Sequence, residues 1–582
     1  MKTLILSLVL FFSIQFLNAQ QVEVKGVVKD SKTQTTLPFA SISVIGTTKG
    51  TISNEDGYFS LSLPDSISDF VCTYVGYKKQ IVKYESGKLL YIILMEPSEQ
   101  MLREVTIRAS DSDKLYELVA MIKKDKPANI TVSKSYFESK SYCDTQQVEL
   151  VSAFYNLHSK GYEITDLQLK AGKVGYQKFG NRIFMNIEAS KSITGMEIFN
   201  RNEGIPENPL LMRIGELKKK YVLDLTEIFL SERGDTIVGV EFTPKKPNEN
   251  LFSGKLWVNS ANARLIKLKL YCRNCKTHPF TPLTPSDRLT NVNMEINRSF
   301  HSTSTNHFID HADFTFEAQF SSRYSSQNNY TYPAQVKAIL HSFDTTSIYT
   351  IPEFEFPDSS ISDYSKIFAF PYIPEFWESQ KPHQISDQFQ RNENFYSNPK
   401  TILNGAGFHP TMSKKEKLFT TPYTHWSEKR TLLNTDKTIP SANYKIDQQL
   451  PGEKYHLEVQ IFLDVNKNND SILITTRTIL DPYATFFNFP SDSLSNCFIN
   501  LYFDLCETER RKFEKSISHN QLTLTEIDIR FKKFKLDLAD TQNRFLKETD
   551  RGTNYSALVK WNEFVFQQTG IDNMQIFNVA RK

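Results

Sequence analysis

The stretch that most restricts what this chain can fold into is residues 22–95, where short alternating apolar runs follow one another at intervals marked by turn residues. Val22, Val24 and Gly26-Val27-Val28 come first, then Ala40, Ile42 and Val44, then Phe59, Leu61 and Leu63, then Phe70, Cys72 and Tyr74, and last 89–94. A period of two sends neighbouring side chains to opposite faces, so each run reads as a half-buried strand. Asn54-Glu55-Asp56-Gly57 is a hairpin turn in which Gly57 is free to take positive φ. Seven short strands in about 75 residues predict a Greek-key β-sandwich.

What precedes this module predicts where it works. Lys2, an apolar run from Leu4 to Leu17 and Leu17-Asn18-Ala19 have the order of a secretory signal, so 1–19 is expected to be cleaved. A spanning helix needs about 20 apolar residues, which counts against the alternative of an uncleaved anchor. No cysteine follows the cut to carry a lipid, and no later segment is long and apolar enough to span as a helix. The helical pattern of the last third and the ending Ala580-Arg581-Lys582 argue against an outer-membrane barrel. The expected address is the periplasm or the outer-membrane or cell surface, with no transmembrane span after cleavage.

Four segments of the module carry a resemblance: the Gly26-Val27-Val28 opening, Leu37-Pro38-Phe39-Ala40-Ser41-Ile42, the turn from Thr51 through Phe59, and Tyr74-Val75-Gly76-Tyr77. Together they resemble the carboxypeptidase-regulatory-like domain, a transthyretin-like β-sandwich at the N-terminus of many Gram-negative cell-envelope proteins. The resemblance implies a non-catalytic adaptor, named for an appendage of metallocarboxypeptidases. The same domain caps TonB-dependent transporters, and Leu102, Glu104, Val105 and Ile107 are similar to their linker. The remaining chain is too short and too helical for a transporter barrel, so that reading is set aside.

The whole reads as a multidomain, mainly β protein: signal 1–19, β-sandwich 20–96, linker and helix 97–127, an antiparallel β-rich central domain 128–377, a polar linker 378–453, and an α+β domain with a helical end at 454–582. Leu115, Leu118, Val119, Met121 and Ile122 keep helical spacing, and Lys126-Pro127 ends that helix. In the central domain 184–188 and 236–242 read as strands. The hairpin of 254–259 and 264–270 puts Lys255, Lys267 and Lys269 on one face and leucines on the other. Its Gly-x-Leu-Trp-Val start resembles hairpins of half-barrel lipoprotein-carrier folds; a generic antiparallel sheet explains the same alternation. The Phe- and Pro-rich 352–377 reads as an ordered strap over a core. Farther on, Leu524, Ile527, Phe531, Phe534 and Leu538 mark a packed helix face, Thr553 or Asn554 caps the next helix, and Gly570 stops it.

Charge excludes one class of partner. With 69 basic and 66 acidic residues interspersed and a net +3, nothing suggests a nucleic-acid surface. Lys218-Lys219-Lys220 fits a solvated loop or helix end. The 43 Phe and 26 Tyr suit aromatic cross-strand pairs. Six cysteines are too sparse for a disulfide scaffold, and Cys72, Cys143, Cys497 and Cys506 read as small buried hydrophobes.

Cys272, Cys275 and His278 have the best ligand-like spacing. In an oxidising compartment the two thiols are expected to bridge locally, ahead of plain turn cysteines, with zinc held by all three last. Pro279 and Pro282 bar the helix of a thioredoxin motif. His307, Asp310 and His311, near His301 and Asp313, could share a helix face with a metal; the surrounding Phe308, Ile309, Phe314 and Phe316 indicate a strand instead, with 307, 309, 311 and 313 on one polar face. His425-Trp426-Ser427-Glu428 fits half of a metallocarboxypeptidase site, with only distant His519 to complete it. Asp464, Asn466, Asn468 and Asp470 have calcium-like spacing, but Asn469 and Thr475 stand where an EF-hand needs Gly and Glu, so a polar hairpin turn is expected. Asp504, Glu507, Glu509, Arg510, Arg511, Glu514 and Lys515 read as an ion-paired helix surface.

No catalytic set converges in this reading and no cofactor is implied. The expected function is that of an exported, non-catalytic envelope protein that binds or assembles with a protein or glycan. The alternatives are a periplasmic metallopeptidase-like hydrolase and a carrier of an apolar or lipid ligand in the central domain.

Overall fold

The computed structural model describes residues 22–47, 50–54, 56–63, 68–88, 90–98, 109–124, 127–176, 204–231, 234–246, 250–278, 280, 287–302, 307–325, 328–356, 366–367, 369–380, 423–429, 432–433, 455–468, 471–481, 484–487, 492–518, 522–550 and 552–579. The expected export signal, the linker with Leu102 and Glu104, the strand at 184–188, most of the polar linker and His519 lie outside them. The chain divides into two compact units. One comprises Met1–Gln168, Gln177–Ile348 and Glu375–Asn398; the other comprises Leu169–Tyr176, Tyr349–Pro374 and Pro399–Lys582.

The first unit opens with the sandwich. Strands β1 (Val22–Asp30), β2 (Ser41–Val44), β3 (Gly50–Ile52), β4 (Tyr58–Leu63), β5 (Phe70–Thr73), β6 (Gln80–Val82) and β7 (Leu90–Met95) form two sheets, β4-β1-β7 and β3-β2-β5-β6. Val24, Val28, Ala40, Ile42, Leu61, Phe70, Cys72 and Ile93 fill the core between them. Two glycines are required by this packing. A Cβ on Gly26 would lie 2.5 Å from the Phe59 ring and from the Tyr91 carbonyl oxygen. Gly57 takes φ +82°, and the Asn54 side chain closes its turn by accepting from the backbone N–H groups of Asp56 and Tyr58.

After helix α1 (Ala109–Lys124) comes a ten-stranded sheet. Its strands are β8 (Ile130–Cys143), β9 (Gln146–Lys160), β10 (Glu163–Tyr176), β11 (Tyr221–Leu230), β12 (Thr236–Pro244), β13 (Ser253–Asn259), β14 (Leu265–Cys272), β15 (Asp287–Ser302), β16 (His307–Ser325) and β17 (Asn328–Asp344). They lie in the order β10-β9-β8-β17-β16-β15-β14-β13-β12-β11. Helix α2 (Ile214–Lys220) precedes β11 and ends in the Lys218-Lys219-Lys220 run, where cations suit the negative end of the helix dipole. Lys218 pairs with Asp113 at 2.6 Å and Lys220 with Glu207 at 2.6 Å. Helix α3 (Pro374–Ser379) sets Phe376 and Trp377 edge-on to Phe154 of β9.

In the second unit, β18 (Thr424–His425), β20 (Val459–Asn468) and β21 (Ser471–Leu480) form a sheet in the order β18-β21-β20, and β19 (Tyr455–His456) pairs with β22 (Phe486–Phe487). Helices α4 (Ser493–Ser518), α5 (Leu524–Glu548), α6 (Tyr555–Thr569) and α7 (Asn573–Ile576) follow. Ile527, Phe531, Phe534 and Leu538 of α5 are buried, as their spacing predicts. Thr523 and Glu526 make a capping box on α5, Asn554 caps α6, and Gly570 in the left-handed region ends it. The aromatic strap groups with this unit, where Phe370 packs against Phe462 at 5.3 Å. Asp464 corrects the expected turn. It lies within β20 opposite Thr475, buried, because Lys170 bonds its carboxylate at 2.5 Å.

Candidate functional site

The hairpin's charged side chains line one face of the central sheet. Antiparallel register sets Trp257 opposite Lys267, Lys267 opposite Ser299, and Lys269 opposite Asn297, so these residues share a face. Glu227, opposite Gly239 on the same face, accepts from Lys255 Nζ at 2.5 Å and Trp257 Nε1 at 2.8 Å. Asp313 accepts from Asn297 Nδ2 at 2.8 Å and pairs with His311 Nε2 at 2.9 Å. Burial draws the Lys267 ammonium below its ordinary range, against the pull of Asp313.

The sandwich meets this face through its motif residues. Phe39, from Leu37-Pro38-Phe39-Ala40, stacks on the His311 ring with centroids 4.4 Å apart. Its φ of 60° is the left-handed conformation that non-glycine residues avoid. Ser53 accepts from the Phe39 N–H and, through its hydroxyl, from the Ala40 N–H, which fixes the bend. The Lys267 ammonium lies 5.1 Å from the centre of the Tyr74 ring and 5.5 Å from that of Trp257. Burial, together with Asp313, raises the Tyr74 hydroxyl above its usual range. Two of the four resemblance segments therefore anchor the module to the sheet, a use that sequence alone did not reveal.

The histidine group is divided by a bulge. His311 pairs with Ser299 and Ile309 with Phe300, leaving Asp310 as the extra residue. The expectation that 307, 309, 311 and 313 share one face is thereby corrected. His307 joins Phe300 on one face, between the rings of Tyr162 and Phe300 at 5.0 and 5.5 Å. His311 and Asp313 occupy the other, where His311 lies opposite His341 of β17. Burial pushes His307 down to about 4, with Arg264 and His301 adding to the effect.

Cys272 and Cys275 are both buried, at 3% and 6% exposure. A hydrogen bond from Cys272 holds the Cys275 thiol below its usual range, against burial. His278 turns its ring onto Phe280, stacked at 5.9 Å. The remaining four cysteines are buried, and burial pushes Cys72, Cys143 and Cys506 up to about 12. His425 sits in β18 opposite Ile479, while Glu428 is exposed beside Arg511 at 3.4 Å. Among the described residues no three His, Cys, Asp or Glu side chains converge to hold a metal.

The charged run on α4 is more deeply placed than a helix surface. Glu507 is 2% exposed and accepts from Thr478 Oγ1, from Arg510 Nε and Nη2, and from Arg511 Nε, each at 2.8 Å. Burial pushes this carboxyl up, but the guanidinium groups outweigh it and hold it below the ordinary range. Asp504, also buried, accepts from Trp426 Nε1 at 2.8 Å and Asn573 Nδ2 at 2.7 Å. These carboxylates tie α4 to β21, to the segment after β18 and to α7.

Comparison with known proteins bears on the module. The TonB-dependent receptor P3 of Formosa agariphila is 27% identical over 116 residues, which are 20% of this chain and 12% of that relative's length. A solved MucA/MucB complex from Pseudomonas aeruginosa and a LolA superfamily protein from Nitrosomonas europaea each align with 40% of this chain. The alignments cover 94% and 93% of those chains, at 10% and 11% identity and TM-scores of 0.13 and 0.16. At such scores neither likeness carries weight for this chain's fold or function. The CarboxypepD_reg-like family model matches residues 24–107. With its two sheets, its Gly57 turn and its Leu37-Pro38-Phe39-Ala40 segment, the N-terminal module of this chain belongs to the CarboxypepD_reg-like domain family.

Proposed function

We propose that this is an exported cell-envelope protein whose N-terminal module is a non-catalytic adaptor for binding or assembly with an envelope protein or glycan. The observation that carries this reading is the outer edge of the module. β7 is an edge strand, and Leu90, Ile92 and Leu94 stand 65%, 65% and 43% exposed in a row along it. Aligned large apolar side chains in water mark a contact surface more often than chance exposure. The family match and the receptor relative support the envelope setting. The hydrolase alternative has Glu428 committed to Arg511. The apolar-carrier alternative has Leu256, Leu268, Ile296, Phe314 and Leu340 buried within the central sheet, where a ligand would need space.

Fractionation of cells producing the full chain, with intact mass measurement, tests the address. The expected product lacks 1–19 and travels with the envelope; an uncleaved cytosolic chain would refute the reading. A photo-crosslinking residue at Ile92 is expected to trap one defined partner, while the same residue at exposed Lys32 traps none. Equal labelling from both positions would count against the adaptor role.

A further inference from the structure

We infer that the second unit binds an extended peptide strand in a groove between β20 and α5. β20 is the edge of its sheet, and its outward backbone is only begun to be paired. Glu353 and Leu463 exchange both backbone bonds, at 2.8 and 3.3 Å. Alternation then turns the N–H and C=O of Ile461 and Val459 to the same outer side, while the Glu458 carbonyl accepts from Asp481 on the β21 side. Past Glu353 the strap no longer pairs through backbone alone: Glu355 N–H donates to the Gln460 side chain, which donates back to the Glu355 carbonyl.

Along this edge lie two adjoining cavities. One of about 170 Å³ is bounded by the strap at Glu353–Glu355, by Ile461, and by Phe531 and Lys535 of α5. The next, of about 560 Å³, is bounded by Tyr455, His456, Tyr502, Asn543 and Lys547. Glu458, Val459 and Gln542 border both, so the groove follows the chain from 455 to 461, through β19 and into the start of β20. Seven extended residues span roughly 20 Å, a length that suits a chain better than a compact metabolite. Sheet edges beside a groove bind peptides by strand addition, with main-chain bonds giving affinity and alternate side chains giving selectivity.

Charge sets the direction. Glu353 and Glu355 mark one end, where Lys535, ion-paired at 3.9 and 3.7 Å, offsets one of the two negative charges, and Lys547 marks the other. A peptide antiparallel to β20 continues the line that Glu353 starts, with its N-terminal part at the two glutamates and its C-terminal part at Lys547. The occupant is therefore an extended segment with a basic residue early and a carboxylate late. This inference is independent of the module's adaptor role.

The test is selection from a displayed library of octapeptides on the immobilised full chain, run in parallel on Asn543→Trp and Gln542→Trp. Asn543 is exposed, so its variant fills the groove without disturbing the core. The expected peptides carry Lys or Arg near the N-terminus, bind each variant at least tenfold more weakly, and lose at least tenfold when alternate backbone nitrogens on one edge are methylated. They are also expected to slow hydrogen exchange at the Val459 and Ile461 amides of the wild-type chain. The inference fails if no sequence is enriched on the wild type over both variants, if methylation has no effect, or if those two amides exchange unchanged.

Discussion

Phe39 shows how a single residue can hold a strained position when its neighbours secure it. A non-glycine residue at φ 60° costs about 1–2 kcal/mol, and the His311 stack opposes that cost. Replacing Phe39 with Ala is expected to destabilise the first unit by about 1–2 kcal/mol, since the stack goes and the strain stays. Phe39→Gly loses the stack but also the strain, so its urea midpoint should lie above that of Phe39→Ala. The reverse order would remove the strain argument. His307 gives a pH dependence of definite sign. Its folded value of about 4 lies below the ordinary 6.5, so between those values the unfolded chain binds the proton more tightly. Stability should be flat above about pH 6.5 and fall on acidification towards 4, by on the order of 3 kcal/mol in total. His307→Phe, which fits between Tyr162 and Phe300, is expected to flatten that slope in urea titrations at pH 7, 5.5 and 4.

Between α4 and β21 the joint rests on Glu507. Substituting Gln removes the buried carboxylate that Arg510, 8% exposed, shares with Arg511 and leaves Arg510 its pair with Glu514 at 2.9 Å, and an expected loss of about 2–3 kcal/mol follows. Because the folded carboxyl is held below its ordinary value of 4.5, its contribution is present above that pH and lost as the pH falls through the folded value. The gap between wild type and Glu507→Gln should therefore narrow in acid; a gap independent of pH would mean that packing dominates. Elements of this kind were readable from local pattern. The alternation at 90–94, the charged hairpin face, the three-four spacing of α5 and the stop at Gly570 all appear as expected. What escaped the pattern is non-local: the bulge at Asp310 depends on the partner strand β15, and Asp464 looks like a turn residue until its partner is known. Phe39 was legible as a motif residue, but its target lies on a strand some 270 positions later, beyond any sequence window.

In the chain as a whole, the second unit is assembled from three separate segments, with Lys170 and Asp464 both buried, at 1% and 2% side-chain exposure. Lys170 also donates to the Thr350 carbonyl at 2.7 Å. Neutralising one member, as in Asp464→Asn, strands a buried charge and is expected to cost about 3–5 kcal/mol, whereas Lys170→Met with Asp464→Leu should recover most of the loss in chemical denaturation. Failure of the double variant to recover would show that the pair secures geometry as well as charge. The two groups are 294 residues apart. During synthesis at about 5–20 residues per second, the ammonium leaves the ribosome roughly 15–60 s before its counter-ion. The second unit therefore cannot complete its interior while the chain is being made. The order of the segments thus makes closure of this unit a late step, after synthesis of the segment that carries Asp464.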